Sequence, residues 1–151
     1  MLPSHPNVEI AVVYGGDPAL VEALNRLLPQ LSDTALMLSA QKVGEILAAP
    51  GNTLFVARDT EGQIVGTLTL VVFPIPTGTR AWIEDVIVDE RVRGRGVGEQ
   101  LVRAAIKRAG ESGARAIDLT SRPAKVVANR LYRRLGFVRR ETNVYRYAVF
   151  G

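Results

Sequence analysis

A chain of 151 residues, 47% hydrophobic and 23% charged, has the size and composition of one ordinary globular domain with a real core. It has no cysteine, which excludes disulfides, thiolate metal sites and a cysteine nucleophile, and its single histidine, His5, argues against a histidine triad or a multi-histidine metal site. The net charge of +4, from 19 Lys and Arg against 15 Asp and Glu, suits nucleic acid, an anionic cofactor or solubility alone.

Residues 8–13 (VEIAVV) read as a short strand, turned by Gly15-Gly16. Asp17-Pro18 is a strong helix start, with Asp as N-cap and Pro at the first helical position. Leu20, Leu24, Leu27 and Leu28 then repeat at helical spacing until Pro29. Ser39 caps a second predicted helix, which turns Val43, Ile46 and Leu47 inward and stops at Pro50-Gly51. Residues 53–58 and 63–73 are strand-like runs separated by Asp59-Thr60-Glu61-Gly62, a hairpin signal.

Residues 74–78 read as a loop leading to a strand over 81–88 (AWIEDVIV), then a glycine-rich turn and a helix to about Gly110. Residues 115–120 (RAIDLT) form another short strand. Pro123 opens a last helix in which Val127, Leu131 and Leu135 are spaced by four, and Gly136 is its C-terminal glycine. From Phe137 through Val144 to Val149 the pattern is again that of a strand. No repeat, linker or low-complexity tract interrupts this order. Residues 1–151 are therefore expected to form a single domain of the α/β (α+β) class, a mixed sheet with helices packed on it.

The turn Arg93-Gly94-Arg95-Gly96-Val97-Gly98 carries most of the functional information. A strand that breaks into glycines and re-forms as a helix leaves backbone N–H groups without partners, aimed outward at a helix N-terminus, and the helix dipole favours an anion there. Arg93 and Arg95 add charge suited to phosphate oxygens. A P-loop needs a Gly-Lys-Ser/Thr ending, which is absent. A dinucleotide fingerprint needs Gly three residues after Gly96, where Glu99 stands; Asp118 is placed as a ribose-binding acid would be, but inside a strand with apolar neighbours. The other basic residues crowd two regions, Arg91 to Arg108 and Arg122 to Arg140, without aromatic-rich or zinc-type motifs, so a small polyanion is expected rather than nucleic acid. No apolar stretch approaches the ~20 residues of a membrane span. The opening MLPSHPNVEI lacks the pattern of a secretory signal, and a cytoplasmic protein off the membrane is expected.

Arg93-x-x-Gly96-x-Gly98, following Trp82-Ile83-Glu84-Asp85-Val86-Ile87-Val88, resembles the acyl-CoA-binding signature of the GNAT superfamily of N-acyltransferases. Ala128-Asn129-Arg130-Leu131-Tyr132-Arg133-Arg134-Leu135-Gly136-Phe137 resembles its second signature, a helix carrying Tyr and ending in Gly-Phe. The match runs over roughly 53–140, and the element order extends it over the chain. It implies a GNAT-like, mostly antiparallel central sheet of about six to seven strands with about four helices, its strands splayed at a cofactor cleft. One departure stands out: where the family often has an asparagine, seven residues before the tyrosine, this chain has Lys125. Asn129 is too close to the tyrosine to replace it directly.

The resemblance implies acetyl-CoA, or a longer acyl-CoA, as co-substrate, with no metal, held where the strand of Val86, Ile87 and Val88 parts from that of residues 117–120. Splayed strands expose N–H and C=O groups that pair with pantetheine amides as an added strand would. The diphosphate would rest on the backbone of residues 93–98, with Glu99 in the first helical turn and Lys125, Asn129, Tyr132 and Arg134 or Arg130 as further cofactor contacts. Glu99 is equally placed to pair with Arg103 at i, i+4.

The implied reaction is direct attack of an amine on the thioester. Glu84, at the strand centre on the face shared with Trp82 and Val86, is the expected base, or else a carboxylate that binds substrate or neighbouring backbone; Asp85 should face the other way. A backbone N–H near Val86 would meet the oxyanion, and Tyr132 would protonate the departing thiolate. The acceptor is expected to be a small-molecule or a protein or peptide amine. A non-catalytic acyl-CoA-binding module on the same fold is the alternative. The resemblance also allows a homodimer, with the C-terminal strand as a ready interface.

Overall fold

A computed structural model describes residues 7–150; His5 lies outside the described residues. The elements follow as β1 (Glu9–Val13), α1 (Pro18–Leu27), α2 (Ala40–Ala48), β2 (Asn52–Arg58), β3 (Ile64–Ile75), β4 (Gly78–Val88), α3 (Val97–Glu111), β5 (Ile117–Asp118) and α4 (Val126–Arg134). Single 3-10 turns lie at Leu28–Gln30 and Glu90–Val92. The strands form one sheet in the order β1-β2-β3-β4-β5, with β1 to β4 antiparallel and β5 parallel to β4. The architecture is the expected mixed, mostly antiparallel GNAT-like α/β fold. Among the described residues no helix is long and apolar enough to cross a membrane.

Local chemistry sets the helix starts. Asp17 accepts the Leu20 N–H at 2.8 Å with Pro18 opening α1, and Ser39 accepts the Lys42 N–H at 3.1 Å to start α2. Asp59 Oδ1 accepts from the N–H groups of Glu61 and Gln63, each at 2.9 Å, and closes the β2–β3 hairpin.

Cross-strand pairs share a sheet face, so the register assigns the two layers. Leu54 and Val56 of β2 and Ile87 of β4 form one core with Leu20, Ala23, Leu24 and Leu27 of α1 and Val43 of α2. On the opposite face α3 lies so close to β3 that a Cβ on Gly66 would stand 3.1 Å from Leu101 Cδ1 and 3.2 Å from both Val97 Cγ1 and the Ile87 carbonyl oxygen. Gly66 thus lets the first turns of α3 press on the sheet, with Val97 and Leu101 buried.

Several expectations are corrected. The sheet has 5 strands, not six or seven. The predicted C-terminal strand is absent: 138–150 form no regular element, and Val144, Tyr145, Tyr147 and Val149 are exposed. Its alternation is that of a strand, but alternation makes a strand only where a neighbour supplies backbone partners, and among the described residues none pairs with it. Residues 74–78 are not a loop; β3 continues through Ile75 and pairs with Gly78, leaving Pro76-Thr77 as the turn. Pro74 is exposed at this hairpin's end, where a missing donor is tolerated. Strand β5 is limited to two residues, and α4 begins at Val126 after a turn at Pro123.

Contacts divide the chain into a unit that ends at Thr120, holding the whole sheet and α1 to α3, and a unit from Ser121, holding α4. Replacing Gly66 with valine should destabilise the protein by about 2 kcal/mol or more through overpacking against α3. Urea unfolding measures this, and an unchanged midpoint would show that the helix does not need the close approach.

Candidate active site

Strand β4 is interrupted where the chemistry was expected. Thr69 pairs with Glu84 and Thr67 with Ile87, so three steps on β4 match two on β3, and Asp85 and Val86 have no register partner. This is a β-bulge, and Asp85 takes φ +48°, a left-handed conformation unusual for a residue with a side chain. The extra residue breaks the alternation: Glu84 shares its face with Trp82 as expected, but the next residue on that face is Ile87, not Val86. That face is the one covered by α1 and α2, because Leu54 also pairs with Thr69. Glu84 itself is exposed.

The far edge of β4 opens at the same place. Its pairing with β5 is confined to Ala81 with Ile117 and Trp82 with Asp118, so among the described residues no strand pairs with 83–88 on that edge. Strand β5 ends at Asp118, so its pairing stops before β4 reaches the glycine turn. An extended amide-bearing ligand finds strand-like partners there.

Beyond Val88 the chain makes the turn Glu90–Val92 and then bends twice through left-handed glycines, Gly94 at φ +78° and Gly96 at φ +84°. Gly96 is the N-cap of α3 and offers no side-chain cap. The N–H groups of Gly96, Val97 and Gly98 have no protein acceptor among the described residues, and they stand at the positive end of a helix of 15 residues. Arg95 is exposed beside them, whereas Arg93 folds back, its Nε donating to the Val88 carbonyl at 3.1 Å. Glu99 pairs with Arg103 at 3.3 Å.

One constellation was not foreseen. Asp89 is buried, with its side chain 2% exposed, between Arg26 of α1 and Arg91, each 2.7 Å from Oδ2. Hydrogen bonds from Arg91, with help from Arg26, hold the Asp89 carboxyl far below the usual carboxylate range even though burial alone would raise it. Arg26 also donates to the Ile64 carbonyl at 2.6 Å.

In the unit from Ser121, α4 ends in a turn closed by the Phe137 N–H on the Tyr132 carbonyl at 2.9 Å, with Gly136 at φ +101°. The Tyr132 ring meets Phe137 edge-on at 5.7 Å, and burial pushes its phenol pKa up. Lys125 is exposed at the N-cap of α4 without a side-chain cap. Asn129 donates its amide to the Arg122 carbonyl at 2.9 Å, which braces the turn before the helix. Arg130 and Arg134 are exposed on the helix.

Residues 19–137 match the model of the acetyltransferase (GNAT) family. The chain belongs to that family. A curated relative, the N-alpha-acetyltransferase MAK3 of Arabidopsis thaliana, is 34% identical over 91 residues, which is 60% of this chain and 47% of that protein. The chain therefore spans about half the length of this relative. Among solved structures, a transcriptional regulator from Bacillus halodurans C-125 is 30% identical, with a TM-score of 0.78 over 93% of this chain and 99% of that one. An aminoglycoside acetyltransferase from an uncultured soil metagenomic sample is 22% identical, with a TM-score of 0.84 over 96% and 97% of the two chains, and shares the fold.

Within the unit up to Thr120 the GNAT chain brings the bulge, the open edge of β4 and the glycine turn onto one continuous stretch, 83–98. Glu84, Val86, Ile87, Val88 and the turn residues 93–98 all lie on it. Tyr132, Lys125, Asn129 and Arg134 lie on α4 in the other unit. The bulge and the Arg26 arm of the Asp89 cluster left no local signal, because each depends on residues distant in the chain; Arg91, two residues from Asp89, is the local half of that cluster.

The Asp89 cluster makes a pH prediction. A depressed native pKa stabilises the fold fully above the unfolded carboxylate value near ~4, and that stability is lost as pH falls below it toward the native value. Asp89→Asn should therefore cost about 2–3 kcal/mol at neutral pH. In urea unfolding across pH, the gap to wild type should stay level above ~4 and narrow below it. A gap that persists undiminished into strong acid would mean that the carboxylate's charge is not what stabilises.

Proposed function

We propose that this GNAT protein is an N-acetyltransferase that moves an acetyl group from acetyl-CoA to a primary amine, of a small molecule or of a peptide, by direct attack. The observation that carries the reading is the set of N–H groups of Gly96, Val97 and Gly98, without protein acceptors, at the start of α3 and directly after an unpaired strand edge. A CoA thioester fits both features. Its diphosphate suits the helix N-terminus, and its pantetheine amides suit the strand edge.

Coenzyme A supplies an activated acyl group as a thioester; the chain supplies position and proton transfer. Glu84, exposed on the α1/α2 face at the edge of the bulge, takes a proton from the incoming ammonium, directly or through water. The free amine nitrogen attacks the carbonyl carbon, and negative charge gathers on its oxygen. The Val86 main chain, freed from ladder pairing by the bulge, is the donor assigned to that oxygen. The C–N bond forms and the nitrogen gives its second proton to water; the C–S bond breaks, and the thiolate takes a proton from an acid that solvent then reprotonates. Tyr132 is assigned that proton on the strength of its family motif, its hydroxyl being a donor that is protonated at neutral pH. A free thiol pKa near ~8.5 makes thiolate a fair leaving group, so this acid contributes roughly a hundredfold. Lys125, Asn129 and Arg134 remain assigned to the coenzyme by the motif alone. The name of the curated relative, an N-alpha-acetyltransferase, supports a peptide amino group as one acceptor.

The direct experiment incubates the protein with acetyl-CoA and a broad panel of amines and peptides while released thiol is read. Acceptor-dependent thiol release supports the reading, whereas coenzyme binding without release for any amine would favour a sensing module. Gly96→Glu should abolish the rise in Tm that saturating CoA produces, worth about 2.7 kcal/mol at a hundred times Kd, with the circular dichroism unchanged. A retained rise would remove the turn from the site. For Glu84→Gln, kcat/KM should fall about a hundredfold at pH 7 and partly recover at high pH, where free amine is plentiful. A loss that is flat across pH would assign Glu84 to holding the acceptor's charge.

A further inference from the structure

The glycine turn is intrinsically loose, with two residues in left-handed conformations and no side-chain cap, yet the proposed role requires its N–H groups to point in fixed directions. On its helical side the turn is held by Val97 and Leu101, both buried against the sheet. On its strand side the chain is tied down around Asp89. Its main-chain N–H donates to the Val65 carbonyl at 2.8 Å, and its carbonyl accepts from the Val92 N–H at 2.9 Å. Its carboxylate accepts from the Arg91 N–H at 3.1 Å and from both guanidinium groups. A second tie lies beside it, where Gln30 Oε1 accepts the Glu90 N–H at 3.0 Å.

We propose that Asp89 is a positioning residue for coenzyme binding: clamped between Arg26 of α1 and Arg91, it fixes the path by which the chain enters residues 93–98. The proposal rests on the coenzyme reading above. Simple attraction argues against finding a carboxylate here at all. A fixed negative charge close to a polyphosphate site repels the ligand, and Asp89 also neutralises two arginines that would otherwise attract it. The carboxylate therefore opposes binding by its charge and can favour it only by its geometry. This gives the two roles opposite signs.

Isothermal titration of CoA into wild type and Asp89→Asn, at a temperature where circular dichroism shows both folded, reads that sign. Positioning predicts about tenfold weaker binding in Asp89→Asn. A merely structural or electrostatic role predicts equal or tighter binding, because a negative charge has been removed, and that result overturns the proposal. Gln30→Ala changes no charge and breaks the neighbouring tie. It should weaken CoA binding about threefold, and it carries the test alone should Asp89→Asn not fold. Unchanged affinity in Gln30→Ala would then refute the clamp. Ser39→Ala, which removes the N-cap of α2 and touches none of the clamp residues, should lose stability while keeping wild-type affinity. Failure of the wild type to bind CoA would refute the coenzyme reading itself, and is distinguishable from a variant that binds as well as wild type.

Discussion

Three adjacent N–H groups, those of Gly96, Val97 and Gly98, meet no acceptor among the described residues because the chain passes from sheet to helix through two left-handed glycines. Everything functional in the account depends on that arrangement. Hydrogen bonds from such groups to an anion are worth about 1.5–3 kcal/mol each, and the helix dipole adds up to ~2. An exposed arginine contact contributes at most about 1 kcal/mol. In the proposed reading the main chain, rather than Arg93 or Arg95, is therefore the principal anion-binding device. Arg93 reinforces this conclusion, since its Nε is already engaged by the Val88 carbonyl.

The turn acquires chemical meaning from the strand before it. Pairing of β4 with β5 stops at Trp82, and three residues later the bulge at Asp85 and Val86 breaks the ladder to β3 as well. A bulge sharpens the local twist of its strand and often stands beside a functional site. One stretch thus offers an open backbone edge, an unpaired main-chain segment and an exposed carboxylate, Glu84. The family fold supplies the frame, and the site's own residues decide the chemistry.

Much of this could be read from the residues because their signals are local. Asp17-Pro18, Ser39, the Asp59 turn and Gly136 each bond within a few positions, and each does what its residue type implies. The glycine turn was legible for the same reason. What escaped was set by distant partners. AWIEDVIV alternates like an uninterrupted strand, and only its pairing with Thr67 and Thr69 reveals the bulge. Arg26 lies 63 positions from Asp89, so nothing local marks either as a partner. The C-terminal run illustrates the converse, a strand pattern at 144–149 that pairs with no described residue.

The central claim is that main-chain amides at the start of α3 hold the coenzyme. Amide spectra of isotopically labelled protein during addition of CoA test it most directly. The account predicts that the Gly96, Val97 and Gly98 resonances move first and furthest, with those of 83–88 following along the open strand edge. Saturable binding that leaves these three resonances unmoved would contradict it.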